Sequence, residues 1–98
     1  MTGSRESRTG ARRSLEALRA PGDLRGDVTL DTFGLYCPVP ILKTADRIVG
    51  MEPGQVLEVL SDDRVILLDM PAWCLSTGHT YLGFREEPGE WRLFVRKI

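Results

Sequence analysis

Few residues in this chain could carry chemistry. Among 98 residues there are two cysteines, Cys37 and Cys74, and one histidine, His79. CxxC and HxxxH spacings are both absent, so no zinc signature is met, and neither a metal nor a cofactor is expected. In a reducing compartment both cysteines are expected as thiols. Each then has three readings: a core filler, a reactive nucleophile, or half of a redox pair.

Cys37 opens the run Cys37-Pro38-Val39-Pro40. Gly34 breaks the strand pattern before it, and a helical pattern follows, which puts Cys37 at or near a helix N-cap. A helix N-terminus carries about half a positive charge and unpaired N–H groups, both of which favour an anion. Cysteine pKa values in such settings fall from about 8.5 toward roughly 3.5 to 7.5, and the thiolate is the nucleophile. Pro38 suits the first helical position, where its missing N–H costs nothing. Pro40 removes another donor, leaving the N–H groups of Val39 and Ile41 nearby. The two fixed φ angles hold the thiol out from the turn. The expectation is an acidic, rigidly presented nucleophile at Cys37, shaped by Pro38, Val39 and Pro40.

The other candidates read more plainly. Cys74 lies between Trp73 and Leu75, where a buried thiol behaves as a small hydrophobe; a secondary thiol role is the alternative. A Cys37–Cys74 disulfide would require Cα atoms within about 7 Å. His79 directly follows Gly78 and reads as a helix C-cap or strand-start residue rather than a base for Cys37. Asp62, Asp63 and Asp69 read as turn and capping residues, Trp73 and Trp91 as core or edge aromatics, and Lys43 and Arg47 as solvated charges on the exposed face of the first helix.

Several elements must position these residues. Val28 to Thr32 alternates apolar and polar, a strand period. Ile41, Leu42, Ala45, Ile48 and Val49 recur at three and four, an amphipathic helix stopped at Gly50. Glu52-Pro53-Gly54 makes a turn, and Val56 to Leu60 is apolar on both faces, as in a central strand. Strand, helix and strand suggest a parallel βαβ unit. Pro71 argues against a central strand at 65–77, so a helix over roughly 66–77 ending at Gly78 is expected, with the proline near its start or at a kink. Leu82 and Phe84, then Trp91, Leu93 and Val95, alternate on either side of Pro88-Gly89, a hairpin. The fold class is a two-layer α/β (α+β) sandwich, β-α-β-α-β-β, in which two helices cover one face of a four-stranded mixed sheet.

Composition sets the frame. A chain of this length allows one domain and one two-layer core, and 42% hydrophobic with 28% charged residues suits an ordinary globule. No run reaches the roughly 18 to 20 apolar residues that span a bilayer, and no apolar stretch of the signal-peptide kind follows the early arginines. A cytoplasmic protein without membrane contact is expected. Residues 1–26 hold six Arg and three acids, whereas 27–98 hold seven basic and eleven acidic groups. The first segment reads as a flexible Arg-rich extension, with a short helix over Ser14–Ala20, and 27–98 as the domain. A basic arm for nucleic acid is the alternative, ranked behind because the domain is acidic and lacks an aromatic-basic surface.

The ordered series Gly-Leu-Tyr-Cys37-Pro-Val-Pro, Ile-Leu-Lys-Thr, Pro-Gly-Gln-Val-Leu-Glu-Val, Asp62-Asp63, Asp69-Met-Pro-Ala-Trp-Cys74, Thr77-Gly-His79 and Phe94-Val-Arg-Lys97 resembles the TusA (SirA-like) sulfur-carrier family over about 27–98. The resemblance implies the two-layer sandwich seen in the C-terminal domain of translation initiation factor three, and it places the family's active cysteine at Cys37. It further implies a monomeric sulfurtransferase-type carrier. Such a carrier takes a sulfane sulfur as a persulfide from a cysteine desulfurase or a rhodanese-like donor. It hands the sulfur to an acceptor protein in tRNA thiolation, molybdenum-cofactor assembly or sulfur oxidation. Tyr36 stands where many members have a basic residue, Val39 where the tRNA-thiolation carrier has an acidic one, and Leu67 and Leu68 replace polar or basic positions. The alternatives from other classes are a nucleic-acid-binding or regulatory module and a Cys37/Cys74 redox protein.

Overall fold

The alternation from Val28 becomes a strand, and each later change of period becomes a change of element. The computed structural model describes residues 19–22 and 24–98. In order they form β1 (Val28–Asp31), α1 (Val39–Ile48), β2 (Val56–Ser61), α2 (Ile66–Thr77), β3 (Thr80–Glu87) and β4 (Glu90–Arg96). This is the expected β-α-β-α-β-β order.

The strands make one mixed sheet in the order β1-β2-β4-β3. β1 runs parallel to β2, with Val28 opposite Leu57 and Asp31 opposite Leu60. β4 pairs antiparallel with β2 on one side and with β3 on the other. The doubly apolar β2 therefore lies in the interior of the sheet. Leu57 and Val59 from β2, Leu93 and Val95 from β4, and Phe84 from β3 meet Ile48 of α1 and Ile66, Met70 and Cys74 of α2 in one core. Burying each large aliphatic side chain there contributes about 1.5–3 kcal/mol.

Local chemistry explains the element ends. Thr44, buried inside α1, donates its hydroxyl to the Pro40 carbonyl at 2.8 Å, so its polar group is satisfied. α2 ends at Gly78, whose φ of 90° is left-handed and whose N–H reaches the Cys74 carbonyl. Pro71 lies inside α2 rather than at its start; it removes the N–H that would have met the Leu67 carbonyl.

Two features depart from simple alternation. A bulge between Tyr81 and Gly83 shifts the β3 register, so Tyr81 rather than Leu82 joins Phe84 against the core. Phe94, on the face away from the helices, is fully buried. The stretch before β1 lies over that face. The Ala20 N–H donates to the Phe84 carbonyl at 2.6 Å, and the Asp27 N–H to the Val56 carbonyl at 2.7 Å. The helix expected at Ser14–Ala20 falls almost wholly outside the described residues.

Candidate functional site

β1 and β2 are parallel neighbours, so the loops leaving their C-terminal ends emerge side by side. The first loop carries Cys37 and the second carries Asp62 and Asp63. The contact is direct. The Gly34 N–H donates to Asp62 Oδ1 at 3.1 Å, and the Cys37 N–H to Asp63 Oδ2 at 2.9 Å. Gly34 turns with a φ of 81°, which an L side chain rarely adopts. Asp63 Oδ1 also accepts the Val65 N–H at 3.1 Å, at the start of α2. One carboxylate therefore joins the cysteine loop to the second helix.

The helix start differs from the sequence expectation by one residue. Pro38 is the N-cap of α1, with Val39 and Pro40 as its first two residues, and no side chain caps it. Cys37 precedes the cap. The Val39 N–H donates to the Tyr36 carbonyl at 2.9 Å, so it is not free for the thiol. The Cys37–Pro38 peptide is cis.

The expected acidity of Cys37 is corrected here. Its half-buried thiol is pushed up from 9.0 to about 12 by burial first, then by a hydrogen bond to Asp69 and the charges of Asp69 and Asp63. Burial together with two carboxylates disfavours the thiolate more than one uncapped helix end favours it. Asp63 itself is held below its usual 3.8, chiefly by the Cys37 and Val65 N–H groups. The sequence reading had Asp63 and Asp69 only as turn and capping residues. The signal for more was the parallel β1–β2 pairing, which predicts which loops meet.

The remaining candidates lie elsewhere. Cys74 is in the core, 2% exposed, and burial pushes its thiol up to about 12. Both cysteines are free thiols. His79 stacks on Trp73 with ring centroids 5.3 Å apart, and its Nδ1 accepts the Ile98 N–H at 3.3 Å. It follows the C-terminus of α2, whereas Asp69 lies in the first turn; ten residues of separation, nearly all of them helix, place it about 15 Å from the thiol's end. Among the described residues no group of three or more His, Cys, Asp or Glu could hold a metal ion, and no helix is long and apolar enough to cross a membrane.

The cysteine loop and the starts of both helices expose apolar side chains. Tyr36 is 73% exposed and Leu68 67%, with Val39, Leu42 and Val65 also exposed. Arg64, Val65, Leu67 and Leu68 line a hollow of about 280 Å³ at the start of α2.

Comparison with known proteins places these features. The family model for Sulfurtransferase TusA matches residues 28–97. The sulfur carrier protein TusA of Pseudomonas entomophila is 37% identical over 75 residues, covering 76% of this chain and 94% of that protein. YrkF of Bacillus subtilis is 42% identical over 74 residues; the match covers 76% of this chain and 40% of YrkF. The crystal structure of a SirA-like protein from Desulfitobacterium hafniense shares the fold, with a TM-score of 0.63 at 20% identity over 70% of this chain and 95% of that one. The family model spans more than half of the chain and the Pseudomonas relative is covered almost throughout, so the chain belongs to the sulfurtransferase TusA family.

Proposed function

We propose that the protein is a sulfur carrier that holds a sulfane sulfur as a persulfide on Cys37 and relays it between proteins. The observation that carries this reading is the contrast between the two thiols. Cys37 sits half-buried in a loop at a helix start, with the exposed Tyr36 and Val39 beside it in the chain, while Cys74 is sealed in the core. Loading transfers the terminal sulfur of a donor persulfide to the Cys37 sulfur. The new S–S bond forms as the donor's S–S bond breaks, the donor leaves as a thiol with the proton Cys37 gives up, and no external oxidant is consumed. Delivery repeats the exchange in the other direction.

A neutral resting thiol suits this task. Burial, and after it the carboxylates of Asp69 and Asp63, keep Cys37 protonated between partners, so it resists adventitious oxidation and alkylation, which act on thiolates. Free-thiol chemistry of this kind belongs in a reducing compartment, the cytoplasm. Pro38 and Pro40 fix the loop's exit into α1, and Val39 and Tyr36 form part of the surface a donor or acceptor meets. The exposed Tyr36, Val39, Val65 and Leu68 fit protein partners: a cysteine desulfurase or rhodanese-like donor and a sulfur-accepting protein of the tRNA-thiolation, molybdenum-cofactor or sulfur-oxidation type.

The test is to incubate the protein with a cysteine desulfurase and cysteine and record the intact mass. A reductant-sensitive gain of one sulfur is expected in the wild type and in Cys74→Ser, and none in Cys37→Ser. Sulfur carried on Cys74 alone would overturn the proposal.

A further inference from the structure

The end of the molecule that holds Cys37 carries charge of one sign. Asp31 and Asp62 hold successive amides of the cysteine loop, accepting from Phe33 at 2.9 Å and from Gly34 at 3.1 Å. Asp63 accepts the Cys37 N–H, and Asp69 meets the Cys37 thiol from the first turn of α2. Backbone amides and a thiol leave a carboxylate its charge. Ion pairs within the described residues join Arg19, Arg85 and Arg92 to Glu58, Glu86, Glu87 and Glu90, and none reaches these aspartates. Arg64 is exposed nearby and offsets one of the charges at most.

The hollow of about 280 Å³ lined by Arg64, Val65, Leu67 and Leu68 lies beside these charges. The two features share one turn of helix. Residues three and four apart on a helix are neighbours, so Val65 has Leu68 on one side and Asp69 on the other. The Val65 amide is itself bonded to Asp63. The hollow is smaller than the roughly 300–1,000 Å³ of pockets that take drug-sized ligands, and it suits one large apolar side chain. Exposed apolar surface rimmed by polar groups is typical of protein contact sites.

We infer that the hollow and the aspartates beside it dock a basic, apolar segment of the sulfur-exchanging partner, an inference that rests on the sulfur-carrier reading. One large apolar side chain of that segment enters the hollow, and a neighbouring Lys or Arg pairs with Asp62 or Asp69. An acidic segment would meet like charge, and a wholly apolar one would exclude water from carboxylates without supplying a counter-charge. A cation brought to Asp69 also offsets charge that disfavours the thiolate, so docking itself readies Cys37 for attack.

NMR titration of the full-length, isotope-labelled chain tests this with synthetic peptides of equal length. One carries leucine between lysines, one leucine between glutamates, and one serine between lysines. The first should shift the Val65, Leu68 and Asp69 amides saturably. Its affinity should fall about fivefold or more between about 0.01 and 1 M salt, as the Debye length shortens from roughly 30 to 3 Å. The glutamate and serine peptides should bind about tenfold more weakly or worse, through like charge and lost apolar burial. Leu68→Ser, at an exposed position, should weaken the first peptide about threefold or more while its spectrum stays that of a folded chain. No saturable shift, equal binding of either control peptide, or undiminished binding to Leu68→Ser would overturn the inference. The titration uses no sulfur donor, so its failure is distinct from a failure of Cys37 to load sulfur.

Discussion

The Cys37 N–H donates to Asp63 Oδ2 at 2.9 Å across 26 residues of sequence, and the charge of the same carboxylate adds to the burial and to the Asp69 contact that push the pKa of the Cys37 thiol up. One side chain thus positions the loop and contributes, after burial and Asp69, to keeping its sulfur neutral.

Asp63→Asn should separate these effects. It weakens two backbone hydrogen bonds, to Cys37 and Val65, and is expected to destabilise the fold by about 1–2 kcal/mol in urea unfolding at neutral pH. Because the folded carboxyl lies below 3.8, its stabilisation is fully present above that value and is lost as pH falls through the folded pKa. The gap between wild type and variant should therefore close in acid. A gap that persists unchanged would show that the carboxylate charge is not what holds the loop.

Asp69→Asn removes a charge and alters the thiol's hydrogen bond. The thiol's pKa should fall, and each unit recovered means about tenfold more thiolate at neutral pH. Iodoacetamide labelling of Cys37 should accelerate accordingly, with little change in stability. In the wild type the labelling rate should keep rising with pH toward about 12 rather than levelling off near neutrality. A plateau near pH 7 would mean that the helix terminus governs the thiol after all.

Cys74 should behave as core. Cys74→Ala is expected to cost about 1 kcal/mol and to leave sulfur loading intact. Burial raises this thiol from 9.0 to about 12 in the folded state, so its stabilisation is complete below pH 9 and is lost as pH rises toward 12. Urea unfolding between pH 8 and 11 should show a shallower alkaline decline in the variant than in the wild type. Equal slopes would count against this reading.

Tyr36 and Val39 flank the thiol and are exposed. Tyr36→Ala and Val39→Glu should change stability by no more than about 0.5 kcal/mol. Sulfur transfer from a protein donor should nevertheless slow, while labelling by a small alkylating reagent stays within about twofold, as expected of surface positions. Unchanged transfer with every protein donor tried would remove these residues from the docking surface.

The sequence by itself determined the order of elements, because apolar period along a chain reports directly which face each segment buries. The helix expected over 66–77 is α2 at Ile66–Thr77, and the hairpin turns at Pro88-Gly89 as read. It also determined that Cys37 lies in a loop just before a helix. Only the tertiary structure decided the character of that thiol, since Asp63 and Asp69 reach it from another loop and helix, and Coulomb terms depend on distance in space. The β3 bulge and the burial of Phe94 were likewise invisible. A one-residue register shift leaves no mark on an alternating pattern, and a face covered by a distant stretch of chain reads in sequence like any exposed one.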